Sequence, residues 1–171
     1  MKAFILAAIL HLLPHPPAKW QETQEAYEAR MSTVAAAVAD VTRDQELAMA
    51  VVVTLKYESD FDPAVHAGTR RGDKGESICL GQHKRLYRTV DQWLGLAGTD
   101  LDATRRCVEE TARGLQGARG ICRRRDGQAG YPEAFVLYGT GWTCNPKEGS
   151  AAAHFGRRAE RWAALLGRGA G

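Results

Sequence analysis

The sequence predicts a helix-dominated protein, all-α or α+β with little strand, folded as a single domain. Segments with hydrophobic residues at helical spacing alternate with short segments rich in glycine and proline. A chain of 171 residues suits one domain and is long enough to bury its own core. With 44% hydrophobic and 25% charged residues, its composition is that of a globular protein, which argues against intrinsic disorder.

The amino terminus begins with an apolar segment. Lys2 precedes the apolar residues 3–13, and three prolines follow them. A basic start and an apolar stretch of about 7–15 residues are typical of a secretory signal. Residues 1–19 are therefore predicted to be a signal peptide or hydrophobic leader that exports the domain of residues 20–171 to the periplasm or the medium. The alternative is an amphipathic helix that packs on the domain. No apolar run reaches the roughly 18–20 residues of a transmembrane helix, so we expect no stable membrane span.

Two long helices are predicted next. Residues 20–38 contain no glycine or proline and are rich in Ala, Glu and Gln. Residues 42–45 (Thr-Arg-Asp-Gln) have the form of a capping box and would start a second helix that ends near Asp60, ahead of Pro63. Because this second helix is apolar on all sides, we expect it at the centre of the domain.

The rest of the chain is predicted to alternate loops and shorter helices. Four glycines in residues 64–82 indicate a loop with room for a short hairpin. Residues 117–130 are predicted as a basic loop. A short helix is predicted around residues 87–93. Thr99 or Asp100 would cap a helix over residues 101–115, Pro132 would start one that runs to about residue 138, and Ser150 would cap the last, over residues 151–166.

The charge is divided along the chain. The net charge is +3, but acids concentrate in residues 20–60 and arginines in residues 61–171. A basic carboxy-terminal part favours an anionic polymer through long-range attraction, unless the arginines only cover solvated faces. The net charge is too small to make nucleic acid the expected partner.

Four cysteines stand at positions 79, 107, 122 and 144. None of their spacings gives a CxxC pair, which argues against a zinc ribbon or a thioredoxin-like site. An even number in an exported chain indicates two disulfides, for which three pairings are possible. We favour Cys79–Cys107 and Cys122–Cys144, because each joins neighbouring segments. The alternative is four reduced, buried thiols in a cytosolic protein.

One glutamate stands at the end of the predicted central helix. Glu58 follows more than ten mostly apolar residues. Burial there would favour the protonated acid over the carboxylate. A carboxylic acid that is protonated near neutral pH can protonate the leaving group of a glycosidic bond. The alternative is a solvated glutamate at a helix end.

Three motifs occur in order within residues 42–166. They are Glu-Ser-x-Phe-x-Pro at 58–63, a glycine-rich loop leading to Cys-Leu-Gly-Gln at 79–82, and Ala-Phe-Val-Leu-Tyr-Gly-Thr-Gly at 134–141. Their order and spacing resemble the signatures of the soluble lytic transglycosylase domain. That family has the lysozyme-like fold and cleaves peptidoglycan, so the resemblance implies a lysozyme-like single domain that acts on peptidoglycan glycan strands.

The resemblance also implies roles for four residues. Glu58 corresponds to the catalytic acid/base, and Ser59, Gln82 and Tyr138 correspond to positions in the cleft that contact the glycan. Glu58 would protonate the bond between N-acetylmuramic acid and N-acetylglucosamine. It would then help the muramoyl 6-hydroxyl attack the anomeric carbon, with assistance from the N-acetyl group, leaving a 1,6-anhydro sugar. Neither a metal nor an organic cofactor is implied, and we expect a monomer.

The motifs depart from the family pattern at three positions. Cys79 and Gly81 replace the first Gly and the Met of Gly-Leu-Met-Gln, and Gly139 stands where the family usually has Asn. The missing Asn favours a different interpretation, in which the chain is a non-catalytic, disulfide-stabilised module that binds the cell wall.

A lysozyme-type hydrolase on the same fold is a further alternative. Such enzymes often use a second carboxylate about 5–9 Å from the acid. The candidates nearest in sequence are Asp60, Asp62, Asp73 and Glu76. Asp60 and Asp62 also suit a capping role at the helix end or in the turn before Pro63.

Overall fold

The fold is built from eight α-helices and one two-stranded sheet in the part of the chain that the structure describes, which confirms the helix-dominated class. The structure, a computed structural model, describes residues 1–86, 88–127, 130–145 and 150–167, without the side chains of 126, 150–153 and 156. The helices are α1 (Lys2–Leu12), α2 (Gln24–Val41), α3 (Gln45–Ser59), α4 (Pro63–His66), α5 (Val90–Leu94), α6 (Leu101–Asp126), α7 (Tyr131–Thr140) and α8 (Ser150–Leu165). The antiparallel strands are β1 (Ser77–Ile78) and β2 (His83–Lys84).

Helix α3 is the centre of the core, as its all-round apolar character predicts. Every residue from Leu47 to Leu55 is buried, and α1, α2, α6 and α8 pack around them. The predicted capping box is wrong: Asp44 caps the helix by accepting a hydrogen bond from the Leu47 N–H (2.7 Å). Thr42 instead belongs to the end of α2, because its hydroxyl donates to the carbonyl of Val38 (2.7 Å).

Helix α1 packs on the domain. Ile5 and Ile9 are fully buried, and α1 contacts both α2 and α3. Just beyond it, the Tyr27 hydroxyl donates to the carbonyl of Leu13 (2.6 Å). This packing is the one expected of a helix that lies on the domain, while processing of residues 1–19 as a leader stays a prediction. Within the described residues, no helix is both long and apolar enough to cross a membrane.

Helix α6 is longer than predicted. The basic loop expected over residues 117–130 is wrong for most of its length, because α6 continues to Asp126. The glycines in this stretch cost about 1 kcal/mol each relative to alanine, but burial offsets that cost. Ala118 and Cys122, one helical turn apart, are both buried in the core. Tertiary packing therefore overrides the local glycine signal.

Other helix starts follow their caps closely. Thr23 caps α2 through the Ala26 N–H, so this helix begins later than the predicted residue 20. Asp100 caps α6 as predicted. Thr89 forms a capping box that starts α5 at Val90, after the predicted start near residue 87. Residue 87 itself lies outside the described residues. The same is true of the side chain of Ser150, the predicted cap of the last helix.

Both favoured disulfide pairings are present. Cys79–Cys107 ties the turn between β1 and β2 to α6, with a Cα–Cα distance of 6.3 Å. Cys122–Cys144 ties the later part of α6 to the segment that follows α7, with a Cα–Cα distance of 5.7 Å. Two disulfides suit an exported protein, because such bonds persist in oxidising compartments.

Candidate active site

A cleft of about 850 Å³ opens at the carboxyl end of α3. Its walls come from that helix end, the β1–β2 hairpin, α6, α7 and α8. Glu58, Gln82 and Tyr138 all line it. The structure thus brings together three residues that lie up to 80 positions apart in the sequence.

Glu58 lies where this cleft meets a smaller cavity. Its side chain is 23% exposed and lines both the large cleft and a cavity of about 290 Å³. The helix ends one residue later, at Ser59, because Asp60 takes a left-handed conformation (φ 55°). Glu58 therefore borders both cavities, and its side chain is partly accessible.

Arg158 of α8 is the partner of Glu58. Its Nη1 lies 2.9 Å from Oε1 of Glu58, and its side chain is only 3% exposed. The guanidinium stacks over the Phe155 ring (4.5 Å to the centroid) and the Tyr57 ring (5.5 Å). Sequence reasoning missed this residue, because 100 positions separate it from Glu58 and no local motif marks it.

The Ser59 hydroxyl is used within the helix end. It donates to the carbonyl of Leu55 (2.7 Å) and accepts from the N–H of Phe61 (3.2 Å). Ser59 lines the smaller cavity rather than the large cleft. Its geometry stabilises the turn after α3, and its predicted contact with glycan stays a prediction.

Gln82 is fixed against the backbone of the hairpin. Cys79 and Gln82 both have positive φ (60° and 51°), and the Gln82 amide nitrogen donates to the Cys79 carbonyl (3.0 Å). A Cβ at Gly72 would lie 1.9 Å from the Gln82 side-chain oxygen. Backbone strain of this kind is often found at functional sites. The contacts with Cys79 and Gly72 hold the side-chain amide of Gln82 at the wall of the cleft.

Tyr138 is held between α6 and the hairpin. Its hydroxyl donates to the carbonyl of Gly81 (3.5 Å), and its ring lies so close to α6 that a Cβ at Gly114 would be 2.7 Å from it. Burial, and to a smaller extent the charge of Glu58, raises the pKa of this hydroxyl. Tyr138 is therefore a neutral hydrogen-bonding group throughout the physiological pH range.

Asp73 is the one second-carboxylate candidate that lines the large cleft with Glu58 among the described residues. It accepts a hydrogen bond from the Ser77 hydroxyl (2.9 Å) and pairs with Lys84 (3.3 Å). The Ser77 hydrogen bond, followed by Lys84, lowers its pKa. Asp73 is thus ionised at neutral pH.

The other three candidates have different positions. Asp62 is buried, caps α4 and pairs with Arg70. Asp60 pairs with Lys56 and borders the smaller cavity. Glu76 lines a separate cavity. Asp62 therefore has the capping role that its place before a proline predicts.

The cleft is also lined by a charged cluster on and near α6, which the three motifs did not indicate. Glu110 on α6 forms ion pairs with Arg88 and Arg113, and all three line the cleft. Glu110 and Arg113 lie one helical turn apart on α6, so their spacing in the sequence could have predicted this ion pair.

One cluster of possible metal ligands occurs in the described residues. Atoms of Cys79, His83 and Cys107 all lie within 4.8 Å of one another. The two sulfur atoms are bonded to each other, so neither is a thiolate ligand. The His83 Nε2 lies 2.9 Å from the Thr111 hydroxyl, and burial lowers the pKa of this histidine to about 4. His83 is therefore a neutral part of the cleft wall.

Comparison with known proteins gives no match: no family model, no curated protein and no solved structure matches the sequence.

Proposed function

We propose that the protein is an exported peptidoglycan lytic transglycosylase that uses Glu58 as its single acid/base. The observation that carries this proposal is that Glu58, Gln82 and Tyr138, one from each motif, line the same cleft. A chance resemblance of three short motifs would not require their residues to meet. The excess of bases over acids in residues 61–171 adds long-range electrostatic attraction for the anionic wall polymer.

In the proposed mechanism, Glu58 acts twice. It first donates a proton to the glycosidic oxygen between N-acetylmuramic acid and N-acetylglucosamine, and the bond from that oxygen to the anomeric carbon of N-acetylmuramic acid breaks as the N-acetylglucosamine side leaves. The carboxylate then accepts the proton of the muramoyl 6-hydroxyl, whose oxygen attacks the anomeric carbon and closes the 1,6-anhydro ring. The ion pair with Arg158 stabilises the carboxylate that exists between the two steps. Gln82 and Tyr138 supply neutral hydrogen-bonding groups that orient the glycan.

A lysozyme-type hydrolase is the second candidate, and the position of Asp73 favours it. Glycosidases that hydrolyse with two carboxylates need a second carboxylate near the acid. Asp73 is ionised and lines the same cleft as Glu58, so it could supply that group. In that case a water molecule, and not the 6-hydroxyl, would attack the anomeric carbon or open a glycosyl intermediate.

Product analysis separates these reactions. Purified protein is incubated with peptidoglycan, and the soluble fragments are identified by mass spectrometry. Anhydro ends support the transglycosylase, whereas reducing ends support the hydrolase. Binding of the protein to peptidoglycan that stays uncleaved supports the non-catalytic wall-binding module.

The Asp73→Asn variant sharpens the choice. A transglycosylase should keep its rate within about 3-fold, because Asp73 has no chemical step there, whereas loss of a catalytic carboxylate costs about 100-fold or more. Asp102→Asn, an exposed carboxylate on α6 outside the cleft, is the matched control. A 100-fold loss confined to Asp73→Asn would overturn the single-carboxylate mechanism.

A further inference from the structure

Arg158 carries a buried charge whose hydrogen bonds are incomplete. Its Nη1 is close enough to Glu58 for an ion pair, but the N–H bond does not point at the carboxylate. Neither Nη1 nor Nε has a hydrogen-bond partner among the described residues. A buried donor without an acceptor costs free energy, because it has lost water and gained nothing in return. Two such donors beside the cleft indicate that an acceptor arrives from outside.

Packing holds this guanidinium in place. The Phe155 ring lies beneath it at 4.5 Å, and that ring in turn packs on the backbone of α7 at Gly139. A Cβ at position 139 would lie 2.0 Å from two ring carbons of Phe155. Only glycine therefore allows this ring position, which makes Gly139, Phe155 and Arg158 one packing unit.

We propose that Arg158 is a positioning residue, which holds the Glu58 carboxyl in the cleft and donates its unpaired N–H groups to an oxygen atom of the bound glycan. The inference deepens the proposed function and rests on it, since it takes Glu58 to be the acid/base. When the glycan oxygen accepts from the guanidinium, the ion pair loosens. Glu58, in its protonated form, can then donate its proton to the glycosidic oxygen.

Charge and geometry at position 158 are tested by two substitutions. Arg158→Gln should lower kcat about 100-fold, the usual loss for one preorganised donor, with a smaller change in KM. Arg158→Lys, which keeps the charge without the planar fork, should recover part of that loss. Arg161→Gln, an exposed arginine one turn along α8 and outside this cleft, should leave kcat unchanged. An Arg158→Gln variant with wild-type kcat would overturn the inference.

The packing unit is tested separately. Gly139→Ala should lower kcat by displacing Phe155, whereas Gly117→Ala, where a Cβ meets nothing within 4 Å, should not. In a Phe155→Ala background, Gly139→Ala should cause no further loss, because the clash is gone. Additive losses would show that the two residues act independently and would overturn this part of the inference.

Thermal unfolding tests the ion pair without relying on activity. The variants Glu58→Gln, Arg158→Gln and their combination are compared with wild type. We expect the decrease in Tm of the combined variant to be smaller than the sum of the decreases of the two single variants, because one substitution alone leaves a buried charge unpaired. Additive shifts would overturn the inference. A wild-type protein that cleaves no peptidoglycan, with non-additive shifts, would overturn only the proposed function.

Discussion

At the scale of single residues, two kinds of site residue differ in how visible they are in the sequence. Glu58 and Tyr138 sit in local motifs, so short segments predict them. Arg158 reaches Glu58 only through the packing of α8 against α3, which no window of sequence contains. The position of the Phe155 ring beneath it depends on the absence of a side chain at Gly139, which the motif pattern marked only as a departure from the family.

The Tyr138 hydroxyl provides a prediction at this scale. Tyr138→Phe should lower kcat about 10-fold while leaving the fold intact, because it removes one hydrogen-bonding group from the cleft. Tyr131→Phe is the control: it is a buried tyrosine on the same helix that does not line the cleft. Kinetics on peptidoglycan and circular dichroism measure both effects. Equal activity losses in the two variants would contradict a role for Tyr138 in the site.

At the scale of elements, the start of α6 was predicted from its cap, whereas the caps of α2 and α3 were not recognised and the end of α6, which packing decides, was missed. Asp100 starts α6 as expected, but the end of α6 was placed too early, because Gly117 resembles a helix terminator. Helix α6 packs on α2 and α7, and α2 lies far from it in the sequence.

Two glycines on α6 should respond oppositely to alanine. Gly117→Ala should raise the free energy of unfolding by about 0.5–1 kcal/mol, because the new methyl group has open space and the helix propensity improves. Gly114→Ala should lower it, because its Cβ would clash with the Tyr138 ring at 2.7 Å. Urea denaturation of the two variants checks this. Stabilisation by both substitutions would mean that Tyr138 does not pack on α6 as described.

At the scale of the whole molecule, the spacing of hydrophobic residues predicted the class of fold. The even number of cysteines predicted two disulfides, and their order along the chain favoured the pairing that is present. The packed position of α1 was available only as an alternative, because an apolar helix at an amino terminus has the same pattern as a leader. The position of each charged group relative to the core was beyond prediction, since it depends on how the helices pack.

One buried histidine, His66, and one partly buried histidine, His83, make stability depend on pH. Burial lowers the pKa of His66 to about 3 and that of His83 to about 4, from an ordinary 6.5. As pH falls below 6.5, the unfolded chain binds protons at these positions and the folded chain does not. Stability should therefore be fully present above pH 6.5 and decline below it, by up to about 1.4 kcal/mol per pH unit for each histidine.

Urea denaturation at pH 7.5, 6.5 and 5.5 measures this dependence, in a range above the titration of ordinary carboxylates. His15→Gln, which changes an exposed histidine, should leave the slope unaltered. His83→Gln should reduce it. A free energy of unfolding that stays constant over this range would show that the two histidines are not buried in their neutral forms.

The central claim is that Glu58 cleaves peptidoglycan from the cleft that it shares with Gln82 and Tyr138, and one measurement tests it most directly. Peptidoglycan is digested with wild type, with Glu58→Gln and with the exposed control Glu25→Gln, and the fragments are quantified by mass spectrometry. Wild type and the control should release fragments with 1,6-anhydro ends, whereas Glu58→Gln should release at least about 100-fold less. Full release by Glu58→Gln would contradict the account.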